Sequence, residues 1–209
     1  MRITSIERPM RKRRYEVRID HALLVSLSPE VLAATGLRPG QEVDEARIDA
    51  LELAEARHTA MASALRLLSY RPRSEREMRD ALRDRHLPDN IIDETMRRLI
   101  ELRLLDDRAF AENWTESRLR NSPRSRRMIL AELAQKGVSG DAARDSVEAL
   151  DDEEAALAAG RKRLAAMRGL EFAEFRRKLG KFLGRRGFSY DVCNATVRRL
   201  WAETEALER

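Results

Sequence analysis

Arginine is the residue type with the greatest chemical capacity in this sequence. Among 41 basic residues only Lys12, Lys136, Lys162, Lys178 and Lys181 are lysines. A guanidinium offers five donors in a planar fork that fits phosphate and carboxylate oxygens two at a time. The basic residues bunch in three places: Arg11-Lys12-Arg13-Arg14, residues 118–127 and residues 176–186. In the second bunch Arg118, Arg120, Arg124, Arg126 and Arg127 surround one turn. In the third, Arg176, Arg177, Lys178, Lys181, Arg185 and Arg186 follow one another along a helix, and the spacing of 177, 181 and 185 puts three cations on one face. Each bunch can attract phosphate or an acidic protein surface; the plain alternative is a solvated helix face. Phosphate contacts would be salt-sensitive and indifferent to base sequence. Aromatics make up only 5% of the chain, so base stacking should be minor.

Other chemistries find less support. His21, His58 and His86 are scattered, without metal-ligand spacing. Asp106-Asp107 and Asp151-Asp152-Glu153-Glu154 suggest a divalent-ion or nuclease site, but each stands where a helical pattern begins, which fits capping better. There is no Walker glycine loop and no dinucleotide fingerprint. The single Cys193 can form no internal disulfide and reads as a small buried apolar residue. Trp114 and Trp201 sit at helical spacing with other apolar residues, as core positions do. No catalytic residue, cofactor or metal is expected, and the chain does not read as an enzyme. The longest apolar run, residues 22–27, is interrupted by Ser26 and far too short to cross a bilayer. No apolar signal core follows the basic N-terminus, so a cytoplasmic location is expected.

The elements that must hold these cations follow from composition and periodicity. The chain of 209 residues is 43% hydrophobic, enough for a core, and 37% charged, with few glycines and prolines. That pattern favours helices over a β-sandwich or a low-complexity tail. The net charge of +5 is unevenly spread: residues 1–20 carry +4 and residues 21–59 carry −4. Internal repetition organises the remainder. A shift of 51 places Pro72-Arg73-Ser74 on Pro123-Arg124-Ser125, Leu68 on Leu119, Met78 on Ile129 and Leu82 on Leu133. A shift of 50 places Leu133 on Leu183, Gly137 on Gly187, Val147 on Val197 and Leu150 on Leu200. Leu105-Asp106-Asp107 recurs 45 residues later as Leu150-Asp151-Asp152, which implies about five extra residues in the third copy, near Gly169.

Each copy reads as three short helices. In the second, Asp106 or Asp107 caps a helix carrying Phe110, Ala111, Trp114 and Leu119, which stops before Pro123. Ser125 caps a helix carrying Met128, Ile129 and Leu133 that ends at Gly137. Ala142, Ala143, Val147 and Leu150 mark a third helix. Ser74 and Glu77 have capping-box spacing. Such a unit is too small to bury its apolar faces alone, so neighbours must stack. The expected fold is mainly α, with tandem three-helix repeats in an elongated, curved array and a small β-containing unit at the N-terminus. The expected divisions are 1–58, 60–105, 106–150 and 151–209. In the first, residues 3–7, 14–20 and 22–27 read as strands, Ser28-Pro29 starts a short helix closed by Gly36, residues 38–41 form a turn, and a helix runs from Asp44 toward Tyr70.

The run Leu104-Leu105-Asp106-Asp107-Arg108-Ala109-Phe110-Ala111, followed by Ser117-Arg118-Leu119-Arg120, Pro123-Arg124-Ser125 and Glu132-Leu133-Ala134-Gln135-Lys136-Gly137-Val138, closely resembles the RecX family. Residues 64–68 and Ser74-Glu75-Arg76-Glu77-Met78 resemble that family's first repeat, and the resemblance extends over about residues 60–200. It implies a modulator of the RecA recombinase that lies in the groove of the RecA–DNA filament and inhibits strand exchange and ATP hydrolysis, and so takes part in control of homologous recombination and the SOS response. The expected partners are the RecA filament and, weakly and with salt dependence, single- and double-stranded DNA; the protein is expected to be a monomer with no membrane contact. Two rivals remain: a stand-alone nucleic-acid-binding repeat protein, and a helical scaffold indifferent to charge reversal at Arg124, Arg126 and Arg127.

Overall fold

A computed structural model of the chain describes residues 1–10 and 13–207. Arg11 and Lys12 of the first basic bunch lie outside the described residues. The chain divides into two compact units, Met1–Pro72 with Met78–Leu104, and Arg73–Glu77 with Leu105 onward.

The first unit opens with an antiparallel meander of β1 (Ile3–Glu7), β2 (Tyr15–Ile19) and β3 (Leu23–Leu27), in that order. Alternation along β2 buries Val17 and Ile19, and Val17 pairs with Ile6 on one side and Val25 on the other. Asp20 and His21, both at positive φ, make the turn into β3, with the Ala22 amide donating to the Ile19 carbonyl at 3.1 Å. Helix α1 (Pro29–Thr35) starts where Ser28 Oγ accepts from the Val31 amide, and ends at Gly36 with φ 62°. Helix α2 (Glu45–Tyr70) is 26 residues long and is capped by Asp44, whose carboxylate accepts from the Arg47 amide at 2.8 Å. It runs unbroken through residue 59. Its first half buries Ile48 and Leu51 in one cluster with Ile3, Val17, Ile19 and Leu27 of the sheet, and its second half buries Ala60 and Ala64. Helices α3 (Glu75–Arg83) and α4 (Asp89–Glu101) bury Met78, Leu82, Ile91, Ile92, Met96 and Leu99.

The second unit holds α5 (Asp107–Asn121), α6 (Arg126–Gln135), α7 (Gly140–Ser146), α8 (Asp152–Leu164), a 3-10 turn at Ala165–Met167, α9 (Phe172–Gly184) and α10 (Tyr190–Leu207). One core runs through it, from Phe110 and Ile129 to Phe175, Leu183 and Leu200. The expected third helix of the second copy is shorter than its apolar pattern. Val147 and Leu150 are buried but lie past the end of α7, where the Val147, Glu148 and Leu150 amides donate to carbonyls three residues back. The extra residues of the third copy form the 3-10 turn and the bend at Gly169, with φ 71°. Positive φ also recurs after each copy's second helix, at His86, Gly137 and Gly187, with values of 57°, 85° and 88°. In the first copy a histidine therefore occupies the position that glycine fills in the other two.

The motifs that repeat in sequence meet one another inside the second unit. Ser74 Oγ accepts from the Glu77 amide at 3.1 Å and donates to the Lys136 carbonyl at 2.6 Å. Ser125 Oγ accepts from the Met128 amide at 3.2 Å, and the Ser125 amide donates to the Arg186 carbonyl at 3.1 Å. The aspartate doublets divide their labour. Asp106 and Asp151 accept from amides of their own helices, α5 and α8. Asp107 and Asp152 instead reach the first amides of α3 and α6, Glu75 at 2.9 Å and Arg126 at 2.7 Å. A helix start leaves up to four amides without partners, and a carboxylate from another segment satisfies one of them and complements the helix dipole. Burial pushes the Asp107 carboxyl above its ordinary pKa, against the Glu75 amide that favours its charged form. Among the described residues, no helix is long and apolar enough to cross a membrane.

Candidate functional site

The cations singled out by sequence fall into two groups. One group is built into the fold. Arg118 Nε donates to Glu132 Oε2 at 2.6 Å and lies over the Trp114 ring, 4.2 Å from its centroid. Arg124 pairs with the other oxygen of Glu132, and Trp114 Nε1 donates to Glu132 Oε2 at 2.9 Å. Arg126 donates to the Leu150 and Glu148 carbonyls at 2.7 and 3.1 Å, closing the end of the second copy. Arg186 donates to Ser122 Oγ at 2.7 Å and the Pro123 carbonyl at 3.0 Å, with its guanidinium 4.5 Å from the Phe182 ring centroid. Burial, and then the neighbouring Arg124, Arg163 and Arg185, lower the Arg186 pKa from its ordinary value. Arg127 makes one long contact, 3.5 Å, to the Gly187 carbonyl. Charge reversal at Arg124 or Arg126 would therefore break internal contacts and says nothing clean about a partner.

The other group faces outward, most of it on or just past α9. Arg176, Lys181 and Arg185 are exposed, and their side chains have no hydrogen bond or ion pair among the described residues. Arg177 and Lys178 share Glu174 at 3.8 and 2.9 Å, and Arg120 pairs with Glu116 on the surface of α5. The residue at 185 keeps right-handed helical dihedrals, so the row 177, 181 and 185 continues past the end of α9. Arg176, Arg177 and Lys181 border a depression of about 400 Å³ that also takes in Gly180, Gly184 and Tyr190. A Cβ on either glycine would meet nothing within 4 Å, so the helix backbone is bare there. Tyr190 is 79% exposed, a ring beside the cations that sequence reasoning did not single out. Its periodicity gave no signal, because it opens α10 instead of lying within an apolar stripe.

The remaining candidates have structural positions. His21 sits in the β2–β3 turn, His86 follows α3 at positive φ, and His58 Nε2 lies 3.6 Å from Glu30 Oε2. No group of three or more His, Cys, Asp or Glu among the described residues could hold a metal ion. Trp201 packs against Phe172 and Phe175, each with ring centroids 5.3 Å away. Cys193 is buried, and burial raises its thiol pKa above the ordinary value. Because the thiolate is the reactive form, Cys193 should resist a thiol reagent at pH 7–8 and react fully only in denaturant. Rapid modification of the native protein would contradict this placement.

Comparison with known proteins matches the chain to RecX. Models of the first, second and third three-helix domains of RecX match residues 60–99, 106–146 and 151–197. The chain is 30% identical over 195 residues to the regulatory protein RecX of Bacillus velezensis, covering 92% of this chain and 74% of that one. It is 39% identical over 142 residues to that of Thermobifida fusca, covering 66% and 77% respectively. A crystal structure of a regulatory protein RecX superposes with a TM-score of 0.63 at 25% identity, covering 91% of this chain and 96% of the other. That of RecX from Lactobacillus salivarius gives 0.60 at 25% identity, covering 70% and 97%.

Proposed function

The chain belongs to the RecX family, and from that premise we propose that it binds the RecA–DNA filament and restrains RecA, lowering ATP turnover and strand exchange during recombination and repair. The observation that carries the site is the set of outward cations on and just past α9, where the side chains of Arg176, Lys181 and Arg185 have no partner among the described residues. A nucleoprotein filament offers both phosphates and acidic side chains. Cations held on a rigid helix meet them without losing an existing pair, and Lys and Arg contacts of this kind supply salt-dependent affinity. Catalysis is not part of this reading: the chain acts by occupying the filament.

Purified protein added to RecA, single-stranded DNA and ATP should lower the ATPase rate in a dose-dependent manner. The double variant Lys181→Glu/Arg185→Glu should need about tenfold more protein for the same effect, since each reversed charge turns an attraction into a repulsion. Both side chains are exposed and unpaired, so the fold should stay intact by circular dichroism. No inhibition by the parent protein at stoichiometric excess removes the reading; equal inhibition by the double variant moves the site away from α9.

A further inference from the structure

We propose that the first unit carries a second, separate anion site, a cleft that grips the phosphodiester backbone of a nucleic-acid strand. The cleft has a volume of about 520 Å³ and is walled by three parts of the unit. Arg8, Arg13 and Arg14 come from the end of β1 and its connection to β2. His58 and Arg66 stand on α2, and Arg85 follows α3. None of these residues lies in a bunch that sequence reasoning assigned to the repeats. Arg8, Arg13 and Arg14 belong to the +4 segment 1–20, and the fold brings Arg66 and Arg85 from beyond residue 59 to the same cleft.

Two carboxylates line the cleft against five guanidinium groups, and the better buried one is fully occupied. Glu55 is 6% exposed. Its Oε1 accepts from Arg14 at 2.5 Å and from Thr59 at 3.0 Å, and its Oε2 accepts from the Ser28 amide at 2.7 Å and hydroxyl at 2.9 Å. Glu55 thus neutralises Arg14 and builds the floor. Glu30 faces His58 at 3.6 Å. Arg85 donates to the neutral Ser63 hydroxyl at 2.6 Å, which fixes the guanidinium without cancelling its charge. The side chains of Arg13 and Arg66 have no hydrogen bond or ion pair among the described residues. Like charges held around one cavity repel, and a cleft with low-dielectric walls concentrates their field. An oxyanion relieves that repulsion, and guanidinium forks suit phosphate oxygens.

The lining also selects among phosphates. Among the described residues His58 is its only aromatic ring, and Tyr15 lies beneath Arg8, 5.9 Å from the guanidinium. Among the described residues no pair of aromatic rings stands ready to sandwich a base. The cleft therefore suits the repeating backbone of a strand better than a mononucleotide, whose affinity would rest partly on its base.

The test needs no RecA, so its failure is distinguishable from failure of the filament reading. Binding of a fluorescein-labelled single-stranded 20-mer of thymidine is followed by anisotropy across salt concentrations, using the full chain. Arg13→Ala/Arg66→Ala should bind about tenfold more weakly at low salt, with a shallower salt dependence. Its thermal midpoint should be unchanged or raised, because relief of repulsion replaces no internal contact. Arg66→Lys on the parent background should keep most of the salt slope. Unchanged affinity and slope in the double alanine variant would overturn the proposal. Competition by ATP at equal phosphate concentration would overturn the strand in favour of a nucleotide. Equal competition by polyglutamate at matched charge would overturn phosphate recognition altogether.

Discussion

Gly187→Ala should destabilise the second unit by about 2–5 kcal/mol. Two terms add. The backbone at Gly187 has φ +88°, a region that costs an L side chain roughly 1–2 kcal/mol. The new Cβ would also sit 2.5 Å from Ser125 Oγ and 2.9 Å from Met128 Cβ. Ser125 is fully buried and committed, with its hydroxyl on the Met128 amide and its own amide on the Arg186 carbonyl, so it has little room to yield. Overpacking of this kind costs about 1–3 kcal/mol. The thermal midpoint should fall by roughly 5–15 °C. Both tryptophans, Trp114 and Trp201, belong to this unit, so their fluorescence in a urea titration reports on it directly. Gly180→Ala is the contrasting control. It is a mid-helix position where a Cβ meets nothing within 4 Å, and alanine there should stabilise by about 0.5–1 kcal/mol. Equal midpoints for the two variants would refute the close approach at Gly187.

Loss of Glu132 should be comparably severe. Its carboxylate is only 11% exposed and receives Arg118, Arg124 and the Trp114 indole N–H. Glu132→Ala would leave two half-buried guanidinium groups and one indole donor without that acceptor, and removal of one partner from a largely buried pair costs far more than the pair's net worth. The expected loss is about 2–4 kcal/mol, because Arg118 and Arg124 keep some access to water. Glu132→Gln keeps an acceptor and should lose roughly half as much. Glu116→Ala removes an ion pair of the same residue types, but both side chains are well exposed, and the change should stay below about 0.5 kcal/mol. A Glu132→Ala midpoint as small as that of Glu116→Ala would mean the three-donor cluster does not form in solution.

The contrast between these glutamates explains what was legible in the sequence. Local signals read well. Ser28-Pro29, Asp44, Asp106 and Ser125 each start the helix they announce, and the alternation of Tyr15, Val17 and Ile19 marks a strand, because a cap or a period-2 pattern is decided within a few residues. The arginines did not sort themselves. Arg126 and Arg186 look no different from Arg176 or Lys181, since the carbonyls and hydroxyl that absorb them lie 22 to 64 residues away in the chain. The aspartate doublets were legible as caps, but only half of that role was local. Asp107 and Asp152 serve helices 32 and 26 residues earlier, and only folding brings those amides near. The same holds for the cleft of the first unit, whose arginines come from three separated segments.

The serine–carbonyl joint has a direction: hydroxyl-bearing turn on one side, helix end on the other. In the third copy the positions matching Pro123-Arg124-Ser125 hold Ala173, Glu174 and Phe175. Phe175 is buried beside Trp201, 5.3 Å between centroids, and Glu171 starts α9 without a side-chain cap. The seat that would receive another module is thus filled by core. A tandem duplication of residues 151–197 would produce a copy unable to register on its predecessor, so growth of the series is arrested by side-chain identity, as a terminator arrests a polymer.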